Sequence, residues 1–235
     1  MKRLAPLLGS LFVAFAGAAM AAPISPVSYD MRNGDGRASG GSFNYWDRNY
    51  NGTGATTIDA APLTGGLGDL TDGVVAGDLW FNLENAAGTG PYVGWYKLRG
   101  ADPAVVFNFA GAPMVDQIEI HVDNSNFGGV FAFTGVRIDG TLYTPAVPAD
   151  GTHGWVTLSG LGLTGSQHSI QFLHESFNSW IFISEVRFSG TPSGSVPEPA
   201  TLSLLGLGLL AGVAARRWRR LAGLVCHHAG PTSAV

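Results

Sequence analysis

The chain has 235 residues, of which 34 are glycine and only 13% are charged, and its formal net charge is −4. Between Ala22 and Ser195 there are 16 acidic residues against 7 basic ones, a net of −9, because the basic residues gather at the two ends. That balance repels a phosphate backbone and excludes nucleic acid as a partner; the single cysteine, Cys226, lies outside this stretch and excludes a disulfide framework.

The first element is a leader. Met1-Lys2-Arg3 is positive, residues 4–20 are apolar, and Ala19-Met20-Ala21 has the small-x-small form of a cleavage site. Residues 1–21 read as a secretory signal peptide cut after Ala21. Residues 22–195 then form one domain, long enough to bury one substantial core.

Within that domain the signals are those of short strands. Stretches 27–31 and 42–46 read as strands joined by the turn-rich Asn33-Gly34-Asp35-Gly36 and Gly40-Gly41. Residues 51–68, with five glycines, read as loop, followed by Asp69-Leu70-Thr71-Asp72-Gly73 and Leu79-Trp80-Phe81. Stretches 92–96 and 105–109 are short apolar runs. Across 115–123, Ile118, Ile120 and Val122 alternate with Gln117, Glu119 and His121, the period of a half-buried strand. After the loop Asn124-Ser125-Asn126 and Gly128-Gly129 come strands at 131–139, 155–158, 169–174 and 180–188. No ten-residue window holds a helical apolar period. The expected class is all-β, a jelly-roll β-sandwich.

Catalytic signatures are missing. The ectodomain histidines His121, His153, His168 and His174 contain no His-x-x-x-His pair, so no zinc site is expected from spacing. There is no Gly-x-Ser-x-Gly elbow, no ectodomain cysteine, and no carboxylate pair that stands out for glycosidase chemistry. Aromatics are more informative. Trp95 and Trp180 lie in strand runs and read as core, whereas Phe127 sits in a polar loop between Asn126 and Gly128. Asn124, Asn126 and Phe127 are the candidate ligand residues, with an aromatic face for a sugar ring and amides for its hydroxyls; the same ring could instead cover one end of a sandwich. Glu185 stands among Ile181, Ile183, Val186 and Phe188, where a carboxylate needs a partner. Arg187, two residues on, is one.

The last element opens on Val196-Pro197-Glu198-Pro199. An apolar run of 16 residues follows, 200–215, and it closes on Arg216, Arg217, Arg219 and Arg220 around Trp218. As a helix the run would rise about 24 Å, a short transmembrane span whose arginines mark the cytoplasmic end. The tripeptide, span and arginine cluster over 196–220 resemble the PEP-CTERM sorting signal of Gram-negative bacteria. The resemblance implies an exosortase partner, an inner-membrane anchored intermediate before processing, and delivery to the cell surface or extracellular matrix. Residues 221–235, with Cys226, His227 and His228, extend beyond the family's usual end.

The ectodomain resembles the galactose-binding-like jelly roll, the discoidin or coagulation-factor type C superfamily, over 69–190. The resemblance is carried by Leu70-Thr71-Asp72-Gly73, by Tyr92-Val93-Gly94-Trp95 with residues 105–109 as a strand pair, by 115–122 with Val136-Arg137-Ile138 as a central pair, and by residues 183–188 as a closing strand. It implies a structural calcium ion tying the Asp-Gly turn to the closing strand. Asp72 and Glu185 would give side-chain oxygens, and Asp69, Val74 and Ser184 backbone carbonyls. Three functions remain open: non-catalytic binding of an extracellular polysaccharide, a glycan hydrolase or lyase, and a purely structural surface protein.

Overall fold

The alternation across residues 115–122 decides the architecture. Ile118, Ile120 and Val122 are fully buried, while Gln117 and Glu119 are half-exposed. One face of this strand therefore packs on a core. The computed structural model describes residues 21–38, 43–97 and 100–194. In chain order its strands are β1 (Ala22–Ile24), β2 (Ser28–Arg32), β3 (Gly36–Ala38), β4 (Phe43–Asn44), β5 (Pro62–Gly66), β6 (Val93–Tyr96), β7 (Ala104–Asn108), β8 (Met114–Asn124), β9 (Gly135–Ile138), β10 (Thr141–Tyr143), β11 (Thr152–Thr164), β12 (Gln167–Leu173) and β13 (Trp180–Thr191). A single helical turn, α1 (Trp80–Leu83), lies between β5 and β6.

One sheet runs β1-β13-β8-β11, with β6 also paired to β13; the other runs β10-β9-β12-β7-β2-β5; β3 and β4 form a separate pair. Strand pairing is antiparallel throughout these sheets. The inner faces of the two large sheets share one core. Ile118, Ile120, Val122, Ile183 and Phe188 come from the first, and Tyr29, Val105, Phe107, Ile138 and Phe172 from the second. This is the all-β sandwich expected from the strand pattern.

Several local expectations differ. Stretches 27–31 and 42–46 do not make a hairpin: β2 pairs with β5 and β7 instead. β5 lies inside the stretch read as loop, because its Pro and two glycines hide a strand that buries only Leu63 and Gly66. β9 covers only the end of 131–139; Ala132 and Phe133 enter the core without strand pairing. β11 runs far beyond 155–158, because a bulge between Ser159 and Leu163 uses Gly160 and Gly162 at positive φ to continue the strand. The anticipated pairs 92–95 with 105–109, and 115–122 with 136–138, fall in opposite sheets and face each other across the core. The segment before Asp69, outside the span of the resemblance, supplies β2 and β5 to the six-stranded sheet.

A second, smaller core lies on the other face of β13. Trp180 and Phe182 alternate with Ile181 and Ile183, and they pack with Tyr45, Ala76, Trp80, Tyr92 and Val130. Tyr45 and Phe182 rings are 4.4 Å apart, and Tyr96 stacks on Trp180 at 4.7 Å. Gly94 faces Phe182 across the β6–β13 pair, and a Cβ there would sit 2.3 Å from the ring. Glycine is what lets the ring lie on the strand. Trp95 belongs to the main core and Trp180 to this one, so both tryptophans read as core are core. The sorting residues Val196, Pro197, Glu198 and Pro199, the span after them, and Arg216, Arg217, Arg219 and Arg220 lie outside the described residues, as do residues 1–20.

Candidate functional site

The loop after β8 is built by a buried carboxylate. Asp123 is fully buried at the strand's end. Its Oδ2 accepts the Trp80 backbone N–H at 2.8 Å, and its Oδ1 accepts that of Ser125 at 2.7 Å. The first donor is at the start of α1, where backbone N–H groups have no partner within the helix. Ser125 Oγ in turn accepts the Trp80 indole N–H at 3.1 Å. Asp123 thus fastens α1 and the 125–130 loop side by side. Burial pushes its pKa up, and the bonds from Ser125 and Trp80 oppose that.

That fastening presents an aromatic group. Asn126, Gly128 and Gly129 all have positive φ, which turns the chain sharply around Phe127. Phe127 is 61% exposed. Its ring lies 6.4 Å from Trp80, roughly parallel, and 5.3 Å from Phe81, nearly perpendicular. A Cβ on Gly128 would approach Trp80 to 2.9 Å, so the loop can rest on the indole only with glycine there. Polar groups border the rings. Asn126 donates to Asp150 at 3.2 Å and Asn82 to Asp78 at 3.0 Å, all four being exposed.

The three residues expected to hold a ligand therefore have unequal roles. Asn124 is buried: its amide donates to Pro148 O and Asp150, and its oxygen accepts the Ala132 N–H at 3.0 Å. It braces two loops. Asn126 and Phe127 are at the surface. Phe81 completes the aromatic group; in the sequence it follows a tryptophan and reads as part of one apolar run. Phe177, 71% exposed between Ser176 and Asn178, carries the same signal as Phe127, a large ring in a polar loop.

The Asp-Gly turn and the closing strand do meet. A bulge between Ile183 and Glu185 turns Ser184 and Glu185 away from the main core. Glu185 Oε2 accepts the Gly73 N–H at 3.1 Å, Ser184 Oγ accepts that of Ala76 at 3.2 Å, and Val186 donates its N–H to Leu70 O at 2.8 Å. Asp72 Oδ1 closes the turn on the Val74 N–H at 2.8 Å. Glu185 also pairs with Arg187 at 3.6 Å. Burial lifts the Glu185 pKa to about 7, the Gly73 bond and Arg187 pull it down, and Asp72 adds to the rise.

Behind the turn lie Asp47 and Asp69. Asp47 accepts the Tyr29 hydroxyl and the Asp69 N–H. Asp69 is 2% exposed; Oδ1 accepts from Asn49 at 2.7 Å, while Oδ2 is buried with no hydrogen-bond partner among the described residues. Burial first, and then the Asp47 charge, raise Asp69 to about 7. The Asp72 charge thus adds to the rise at Asp47, Asp69 and Glu185, and Asp47 adds to that at Asp69. Among the described residues no three His, Cys, Asp or Glu side chains converge on one metal position, so Asp72 and Glu185 alone could not hold one.

A separate cleft of about 530 Å³ lies by Arg32, Asn33, Trp95 and Asp102. Its groups serve one another: Trp95 donates to Arg32 O at 2.9 Å, and Lys97 and His174 both meet Asp102.

With this geometry in view, residues 26–142, just under half of the chain, match the family described as discoidin domain-containing receptor 1/2, DS-like domain. Residues 195–220 match the PEP-CTERM protein-sorting motif. No curated protein matches significantly. Among solved structures the chain is similar to a truncated AlyQ with CBM32 and alginate lyase domains, at 14% identity over 78% of this chain and 37% of that one, TM-score 0.41. A second is from the Streptococcus pneumoniae beta-galactosidase BgaA, at 11% identity over 72% and 98%, TM-score 0.43. A third is the family 32 CBM of C. perfringens NanJ in complex with galactose, at 14% identity over 43% and 79%, TM-score 0.31. The described domain is a discoidin-like jelly-roll sandwich. The chain also carries the PEP-CTERM sorting motif, and such a motif implies export, a membrane-anchored intermediate and exosortase processing.

The buried acids give a pH dependence of definite sign. Glu84 accepts the Tyr92 N–H at 2.9 Å, and its Oε2 is buried; burial is the main cause of a pKa near 8. A carboxyl raised in the folded state binds its proton more tightly there than in the unfolded chain. Its stabilising contribution is complete below the unfolded value and lost as pH rises through the folded one. In chelator, the melting temperature is expected to fall from pH 5 to pH 8. Glu84→Gln, which stays neutral, should flatten the upper part of that fall; melts at matched ionic strength check both.

Proposed function

We propose that this is an exported surface or extracellular-matrix protein that binds exopolysaccharide without cleaving it. The observation that carries the reading is Phe127, held at the surface against Trp80 and Phe81 with Asn126, Asp150, Asn82 and Asp78 around it. The C–H face of a pyranose suits such a ring, and carboxylates and amides at its border suit hydroxyls. Phe127→Ala should weaken binding to the producing cell's exopolysaccharide several-fold, since one stacked ring contributes on the order of 1 kcal/mol. The exposed ring should leave the melting temperature nearly unchanged. Equal binding by parent and variant would remove this loop from the account, and release of reducing sugar would mark a hydrolase instead.

The sorting motif completes the proposal. Processing by an exosortase would remove the tail near Pro197-Glu198-Pro199 before delivery to the surface of a Gram-negative cell. Mass spectrometry of surface-released protein should find no peptide from Leu202 onward. An intact Cys226-containing peptide on most molecules would argue against it.

A structural calcium ion between the Asp-Gly turn and the closing strand is part of the same reading. Its support is the Asp72 charge, which raises both Asp69 and Glu185, and the buried Asp69 Oδ2, without a hydrogen-bond partner among the described residues. Asp72 and Glu185 would hold the ion, with the carbonyls of Asp69, Val74 and Ser184. Calcium should raise the melting temperature of the parent and not of Asp72→Ala. An unchanged parent would leave Glu185 as the partner of Gly73 and Arg187 alone.

A further inference from the structure

We propose that His121 and His153 form a binding site for a divalent transition-metal ion of the zinc or copper class. The two histidines are far apart in sequence, and strand register alone brings them together. In the β8–β11 pair His153 stands opposite Asp123, and Trp155 opposite His121. The two imidazoles are therefore diagonal neighbours, within reach across two strands. His121 Nε2 and His153 Nδ1 lie 3.3 Å apart. Two nitrogens at zinc-ligand distance on one tetrahedral ion are separated by about 3.3–3.4 Å.

The His121 ring is fixed from its far side. Its Nδ1 is 2.8 Å from Ser184 Oγ, the hydroxyl that also accepts the Ala76 N–H. With Nδ1–H donated to Ser184, the Nε2 lone pair points towards His153. This is the outer-shell bond that orients metal-binding imidazoles. His153, half-buried, gives the ion its entry and supplies the small rotation that seats it off the nitrogen–nitrogen line.

Surrounding charge favours a cation. Asp123 lies directly across from His153 and interacts with it electrostatically. Glu185 is opposite His121 on β13. The opposing charge is Arg187, whose guanidinium lies 4.5 Å over the Trp155 ring. No third His, Cys, Asp or Glu side chain joins the pair among the described residues. The remaining positions on the ion would go to water, which leaves it open to a further ligand. Neither imidazole belongs to the Phe127 loop or to the calcium site; Glu185 and Ser184 act on the pair only as a neighbouring charge and a hydrogen-bond partner, so the site does not rest on the proposed function.

The test is calorimetric titration of the full chain with Zn²⁺ and Cu²⁺ in saturating calcium. The background carries Cys226→Ser, His227→Ala and His228→Ala, which removes the metal-binding groups of the tail. One equivalent should bind, and His153→Gln should weaken it at least about tenfold. Bound Cu²⁺ should show nitrogen coupling from two imidazoles, reduced to one in the variant. In the background protein, Zn²⁺ should also protect His153 from acylation by diethyl pyrocarbonate, a readout that does not depend on the variant's folding. Absence of binding, or binding and protection that ignore His153, would reduce the pair to a hydrogen bond between two rings.

Discussion

Strand β13 is apolar on both faces from Trp180 to Ile183, and much of the molecule follows from that constraint. A strand with one wet face needs one core; this one needs two. Ile181 and Ile183 enter the space between the sheets, and Trp180 and Phe182 must be covered from outside. The cover is the irregular chain between β3 and β6, with Tyr45, Ala76, Trp80 and Tyr92 pressed onto the two rings. The bulge at Ser184 ends the arrangement. Beyond it Val186 and Phe188 stay in the main core, while Ser184, Glu185 and Arg187 face a polar outer surface shared with His121, His153 and Trp155. One inserted residue thus divides the outer face into an aromatic half and an ionisable half.

The irregular cover has no disulfide to hold it. Buried carboxylates serve as brackets instead. Asp47 joins the Tyr29 hydroxyl to the Asp69 amide, Asp123 joins Trp80 to Ser125, and Glu84 receives Tyr92. Each accepts backbone N–H groups that would otherwise go unpaired in loops too short to satisfy them internally. Burial nevertheless disfavours the charged forms, and the pKa values of Asp47, Asp69 and Glu84 rise to about 6, 7 and 8. Because burial disfavours their charge, protonation or a neighbouring cation relieves the cost of burying these brackets, and the loop cover responds to both. The stretch from β3 to β6 is also where the exposed aromatic ring Phe81 is carried, beside Phe127.

By itself, the sequence determined the fold class and the sorting motif. Period-two alternation at Ile118, Ile120 and Val122 and glycine-rich turns define an all-β sandwich, because one buried face per strand is a local property. The order of the tripeptide, apolar run and arginines defines the sorting motif without any fold at all. Phe127 was legible too, since a large ring among Asn and Gly has no local core to enter. Tertiary structure alone decided what depends on register and on covering both faces of a strand. β5 is a strand because β2 offers it an edge, not because Pro62-Leu63-Thr64-Gly65-Gly66 favours extension. His121 and His153 meet because β8 and β11 pair in one particular register, and spacing rules written for a single element cannot see across two. Phe81 joins Phe127 because the buried Asp123 carboxylate bonds the backbones of Trp80 and Ser125 in the two segments that carry them; a contact made through a third residue leaves no trace in the spacing of the first two.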